Sequence, residues 1–200
     1  MKLKRGEWWL IFFNLAYIIA FSIYYFSIGN FEFLWYIIVI VFFFALIFTT
    51  IRKTNFDYFI LWGLSLWGLM HMSGGGLTVN GEVLYRLILI PIIQSGELVI
   101  LRFDQFVHFF GFGIATVAAH HILKPYLKNK VNWKVVYTLI ALIGIGAGVL
   151  NEIVEFIAVV AISETGVGGY ENTLLDLIFN SIGAIAGIIV IHFRRKISKI

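Results

Sequence analysis

With 200 residues, 60% of them hydrophobic and 13% charged, and a mean hydropathy of +0.93, the chain has too little polar surface to cover a water-soluble core. It contains no cysteine, which excludes disulfides and thiolate metal sites. A net charge of +4 would suit nucleic acid if it formed a patch, but its distribution along the chain points to membrane topology instead.

The chain opens "MKLKRGEWW" and runs into an apolar stretch longer than a signal-peptide core, with no small-residue cleavage pattern at its end. It reads as a first membrane span. A span needs about 20 mostly apolar residues, and six segments meet that need, at roughly 8–28, 31–51, 56–72, 104–123, 133–162 and 173–191. The expected fold is an all-α polytopic bundle forming one transmembrane domain over 1–200. Trp8, Trp9, Trp35 and Trp133 lie near span ends, where aromatic belts sit.

Between the third and fourth spans lies a long connection, 73–103. Gly74, Gly75, Gly76 and the Asn80-Gly81 pair are turn signals. "LYRLILIPII" is apolar but too short to span, and Pro91 interrupts it. The expectation is an interfacial or re-entrant segment serving as a lid over an outward-facing site.

Of the 15 lysines and arginines, 13 fall on one side of this topology: Lys2, Lys4, Arg5, Arg52, Lys53, Lys124, Lys128, Lys130, Lys134, Arg194, Arg195, Lys196 and Lys199. Arg86 and Arg102 are left on the other. The positive-inside rule then puts both termini in the cytoplasm of a multi-pass plasma or inner-membrane protein. No nucleic-acid partner is implied, and membrane lipid surrounds the chain.

That topology brings the polar residues of separate spans to one depth. His71 ends the third span. Asp104 opens the fourth, with His108 one turn deeper, about 6 Å along the axis. Glu152 and Glu155 fall in the outer half of the fifth, and Asp176 and Asn180 near the start of the sixth. Small residues continue these faces: Gly111, Ala115 and Ala118 on the fourth span, Gly144 and Gly148 on the fifth, Gly183 and Gly187 on the sixth. Stripes of this kind let membrane helices approach closely, so the polar ends should converge.

Four carboxylates at close range in a low dielectric need compensation, from a divalent metal, from retained protons or from an arginine folded over the site. Histidine with carboxylates suits Zn, Mn or Fe. The spacings D-x-x-x-H and E-x-x-E each put two such groups on one helix face. The plainer reading is that polar side chains hydrogen-bond across helices and fix the packing. It suffices for any single residue, and it accounts less well for four acids together. His120, His121 and His192, at the basic end, read as interfacial side chains, and Asn14 and Glu32 as structural.

"HMSGG", "RFDQFVHFFGF", "NEIVEF" and "LLDLIFNSIGAIAG" together resemble the YjdF-like inner-membrane proteins over about the last two-thirds of the chain. A looser form of the last three elements is similar to the VanZ-like proteins, tied to glycopeptide resistance and cell-envelope traits. The VanZ-like pattern carries an Arg before the final Asp, where this chain has "GGYENTLLD". The resemblance implies that His71, Asp104, His108, Glu152, Glu155 and Asp176 share a polar outer-leaflet site. The expected function is a metal-assisted hydrolase or transferase acting on a lipid or envelope intermediate. His71, Asp104, His108 and Asp176 would hold the divalent metal, with Glu152 or Glu155 as general base. The alternatives are a proton- or ion-coupled transporter, which would need a polar path absent from the Gly/Ala/Ile inner halves of spans four to six, and a structural protein with a polar packing core.

Overall fold

A computed structural model describes the chain except residues 1–2, 96–97, 128–129, 163–164, 166–167 and 198–200. Lys2, Lys128 and Lys199, counted above on the basic side, lie outside the described residues. The chain divides into two compact units, Met1–Leu87 with Ile157–Val167, and Ile88–Phe156 with Gly168–Ile200.

The first unit contains α1 (Arg5–Ser27), α2 (Phe31–Thr54) and α3 (Tyr58–Gly76). The α1–α2 turn uses Gly29 at φ +65°, a conformation glycine adopts without steric cost. Asn30 then caps α2, its side chain accepting from the Phe33 amide at 3.0 Å. The motif "TNFDY" ends one helix and starts the next. Asn55 closes α2 in the left-handed conformation, and Asp57 caps α3 by accepting from the Ile60 amide at 3.0 Å. The core is aromatic, built on Tyr17, Ile18, Tyr25, Phe33, Tyr36, Ile37 and Met72.

Several polar groups inside this unit are paired. The Asn14 amide donates to Ser65 Oγ at 2.7 Å and to the Leu10 carbonyl at 2.8 Å, and the Tyr17 hydroxyl donates to Asn14 Oδ1 at 2.9 Å. This bears out the structural reading of Asn14. Arg52 grips Glu7 with two nitrogens, at 2.9 and 2.6 Å, tying the end of α2 to the start of α1.

The glycine run at 74–76, expected as a turn, completes α3 instead. Its lack of side chains serves packing. A Cβ at Gly74 would strike the Tyr85 ring, one at Gly75 the Phe33 ring, and one at Gly76 the Tyr25 ring. Beyond it, Asn80 (φ 54°) and Gly81 (φ 85°) form the expected tight turn, between β1 (Thr78–Val79) and β2 (Glu82–Val83).

Among the described residues, five helices are long and apolar enough to cross a membrane, α1, α2, α4 with the turn that follows it (Phe103–Tyr126), α5 (Trp133–Ala161) and α6 (Tyr170–Ile197). Helix α3, expected as a sixth span, has 19 residues and does not join them, because His71, Ser73 and three glycines in its last turn and a half lower its hydropathy.

In the second unit "LILIPII" forms neither a re-entrant helix nor an irregular loop. It is strand β3 (Ile88–Ser95), paired antiparallel with β4 (Leu98–Arg102). A run of β-branched residues favours a strand, and proline is tolerated because each strand of a two-stranded ribbon has a free edge. The pairing is irregular between Ile88 and Ile93, the interval that holds Pro91. Ile88, Leu89, Ile90, Ile92 and Ile93 remain exposed.

The hairpin leads directly into α4 (Phe103–Leu123). Leu101 sits at φ 74°, a costly conformation for a non-glycine residue. It is held there by Gln105, whose side-chain oxygen accepts from the Leu101 amide at 2.5 Å and the Arg102 amide at 3.0 Å.

Helices α4 and α6 cross backbone to backbone. A Cβ at Gly183 would overlap the Phe109 carbonyl, and one at Gly187 would lie 2.6 Å from the Gly113 oxygen. Helix α5 joins through Gly148, where a Cβ would come within 2.7 Å of Asn180, and through Gly144, where it would overlap Thr116. The stripes expected on α5 and α6 are therefore contact faces. On α4 the approach runs through Phe109, Gly113 and Thr116, a register beside the expected Gly111, Ala115 and Ala118.

Candidate metal centre

Close crossing brings the first turns of α4, the later half of α5 and the second and third turns of α6 to one place. His108, 5% exposed, stands at the middle. Its Nε2 is 3.6 Å from Asp104 Oδ1, 3.9 Å from Glu155 Oε1 and 4.0 Å from Asp176 Oδ1, and its Nδ1 is 3.5 Å from Glu152 Oε1. The i, i+4 spacing of Asp104 and His108 and the i, i+3 spacing of Glu152 and Glu155 each deliver two groups from one helix face.

Three asparagines organise the carboxylates. Asn151 donates to Glu155 Oε1 at 2.7 Å. Asn172 donates to Asp176 Oδ2 at 2.5 Å and to Asp104 Oδ2 at 3.3 Å. Asn180 donates to Glu152 Oε1 at 3.3 Å, while its own Oδ1 lies 3.0 Å from His108 Nδ1. That last pair orients the imidazole. With the Asn180 amide nitrogen toward Glu152 and its oxygen toward His108, a hydrogen on Nδ1 would satisfy the Asn180 contact and leave Nε2 facing Asp104 and Asp176. A metal-ligating histidine has this arrangement, one nitrogen held by a hydrogen-bond acceptor and the other turned to the ligand set.

One atom is left over. Asp176 is completely buried, and its Oδ1 has no hydrogen-bond partner among the described residues. A buried carboxylate oxygen without a partner is costly, and this one points into the group formed by Asp104, His108 and Asp176. Ligand atoms of that group lie within 4.8 Å of one another, as do those of His108, Glu152 and Glu155. Two donors each about 2.1 Å from a tetrahedral metal stand roughly 3.4 Å apart, close to the 3.6 and 4.0 Å separations from Nε2. The buried His/Asp/Glu groups could hold a metal.

Of the residues expected in the site, Asp104, His108, Glu152, Glu155 and Asp176 are gathered in the second unit. His71 belongs to the first unit, where its Nδ1 lies 2.6 Å from the Tyr85 hydroxyl and its ring meets Tyr36 edge-on at 5.2 Å. The sequence reading left Asn151 and Asn172 out. Their signal was present, since each stands four residues before the acid it serves, Glu155 and Asp176.

A family model matches residues 6–197 of the chain. The chain belongs to the DUF2238 family of predicted membrane proteins. This accords with a multi-pass membrane protein built on five candidate spans. No curated protein and no solved structure matches the chain at a significant level.

Proposed function

We propose that this DUF2238 protein is a membrane-embedded, metal-assisted hydrolase or transferase acting on a lipid or envelope intermediate. The observation that carries the reading is the orphaned Oδ1 of Asp176, fully buried and facing His108 Nε2 and Asp104. In this reading Asp104, His108 and Asp176 hold a divalent ion, with Zn, Mn or Fe the best match to a mixed nitrogen and oxygen donor set. The ion would supply Lewis acidity and neutralise part of the carboxylate charge. Asn180 keeps the His108 lone pair turned to the ligands. Glu155, steadied by Asn151, or Glu152, steadied by Asn180, takes a proton from an attacking water or hydroxyl. The ligand set draws on the second unit alone. His71, expected as a fourth ligand, belongs to the first unit, where its Nδ1 lies 2.6 Å from the Tyr85 hydroxyl.

Elemental analysis of the purified protein tests this directly. About one equivalent of a transition metal per chain is expected, removed by chelation and restored by one divalent ion in preference to Mg. Metal-free protein that also takes up none on titration would sink the reading.

For orientation we propose six crossings, with α3 as the short one, and both termini cytoplasmic. The parity depends on α3, since five crossings would put the termini on opposite faces. The support is the charge split and the Arg52–Glu7 pair, which joins two chain segments assigned to the basic side. Reporter fusions at Asn80 and Gly168 should read extracytoplasmic, and a fusion after Ile200 cytoplasmic. Opposite locations for the N-terminus and Ile200 would show that α3 does not cross.

A further inference from the structure

At the far end of the second unit from the carboxylates, the last turn of α4, the first turns of α5 and the last turns of α6 carry a different constellation. The Arg195 guanidinium carbon lies 3.5 Å from the centroid of the Trp133 ring. Its NH1 donates to the Tyr137 hydroxyl at 2.7 Å, and that hydroxyl is 3.3 Å from His192 Nδ1. Trp133 also borders His120, at 6.5 Å between ring centres. His120 Nε2 is buried without a hydrogen-bond partner among the described residues. Lys124, Arg194 and Arg195 all stand near enough to His120 to act on it electrostatically.

The charge here is unbalanced along the chain. No Asp or Glu occurs between Asp104 and Glu152, or after Asp176, while those two stretches hold Lys124, Lys128, Lys130, Lys134, Arg194, Arg195, Lys196 and Lys199. The second unit's three helix ends therefore supply no carboxylate of their own. A guanidinium immobilised on two aromatic rings, rather than on an acid, keeps its remaining N–H groups and its full charge for an oxyanion. Its ordering is completed before any ligand arrives, which lowers the cost of binding. Tryptophan and tyrosine at the ends of apolar helices mark the headgroup level of a bilayer, and basic recesses between membrane helices at that level recognise phosphate headgroups.

We infer that Arg195, Lys124 and His120, set around Trp133 and Tyr137, form a binding site for the phosphate of an anionic phospholipid. Tyr137 and Trp133 position Arg195, Arg195 and Lys124 contact the phosphate oxygens, and the orphaned His120 nitrogen lines the inner wall. The site is separate from the carboxylate cluster and does not depend on its chemistry.

The test uses the purified full chain in neutral detergent. Phosphatidylglycerol, phosphatidylcholine or inorganic phosphate is added at matched ionic strength, and the readouts are thermal unfolding and lipid retained by native mass spectrometry. Phosphatidylglycerol should be retained and raise the unfolding temperature, and phosphatidylcholine should do neither. Arg195→Gln should weaken phosphatidylglycerol binding about tenfold, the effect of losing one charge-assisted hydrogen bond. Lys53→Gln, at an exposed basic position of the first unit, should leave it unchanged. Should Arg195→Gln fail to fold, Lys124→Gln takes its place, since Lys124 is exposed. Equal weakening by Lys53→Gln would mean diffuse attraction to basic charge and would overturn the site. So would unchanged binding by both site variants. Full stabilisation by inorganic phosphate alone would assign the site to a free anion and overturn the lipid.

Discussion

Asp176→Asn is expected to yield a folded protein that has lost its divalent metal. The substitution keeps an oxygen for the Asn172 amide, now 2.5 Å from Asp176 Oδ2, and it breaks no hydrogen bond at Oδ1, which makes none. It also removes one negative charge from a group of four carboxylates around His108, which relieves repulsion when no cation is bound. In chelator the variant should therefore unfold at or above the temperature of the parent. With metal present at about 100 times its dissociation constant, the parent alone should gain about 2.7 kcal/mol, or roughly 5–10 °C for a chain of this size. His108→Ala is the companion. It removes a ligand and also strands Asn180 and Glu152, so it should cost about 1–3 kcal/mol even in chelator. A structural polar core predicts another pattern, with no metal-dependent gain in the parent and a loss of stability for both variants under both conditions. That pattern would leave the cluster as a packing device.

Gly183→Leu should be the most destabilising single substitution in the second unit. Its Cβ would overlap the backbone carbonyl of Phe109, and a carbonyl inside a helix cannot swing aside as a side chain can. Overpacking a well-filled core costs about 1–3 kcal/mol and sometimes more, and a clash with backbone belongs at the upper end. Separation of α4 from α6 would also pull His108 away from Asn180 and Asp176, so the variant should lose metal and stability together. Gly146→Leu on α5 is the control. Apart from its own helix turn, no atom of the described residues lies within 4 Å of its Cβ position, and leucine favours a helix over glycine by several tenths of a kcal/mol. Its stability in detergent should match or exceed the parent. Equal unfolding temperatures for Gly183→Leu and the parent would show that α4 and α6 are free to separate without cost.

The two outcomes bear on different levels of the molecule. Asp176 concerns what the pocket holds, whereas Gly183 concerns the crossing that makes the pocket. A protein that tolerates Asp176→Asn and fails with Gly183→Leu has a centre whose chemistry is separable from its scaffold, as a catalytic site requires.

Much of this was legible in the residues. The membrane class follows from composition, because 60% hydrophobic residues cannot be covered by the few polar ones. Helix positions follow from apolar length, because backbone groups in lipid must be satisfied within the segment. The site residues follow from exclusion, since an acid within such a segment is expensive and must find partners. Asp104, His108, Glu152, Glu155 and Asp176 stood out on that ground before any contact was known. The α5 and α6 glycine stripes were equally readable from their spacing.

Other features depended on packing. The glycines at 74–76 look like a turn, and only the rings of Tyr85, Phe33 and Tyr25 show why a helix needs them there. "LILIPII" is apolar by any measure, and its pairing with β4 made it a hairpin. On α4 the closest approaches fall on Phe109, Gly113 and Thr116, beside the buried Gly111 and Ala118 of the expected stripe, because one step of 100° around a helix is set by how the partner docks. Sequence alone thus determined that this chain lies in a membrane and that Asp104, His108, Glu152, Glu155 and Asp176 fall within its apolar segments, and the cost of polar groups in lipid makes both informative. Only the tertiary structure decided that His108 stands among the four carboxylates, that Asn180 lies between it and Glu152 and that Asp176 keeps an oxygen without a partner among the described residues, because these contacts depend on the relative rotation of α4, α5 and α6, which no spacing within one helix encodes.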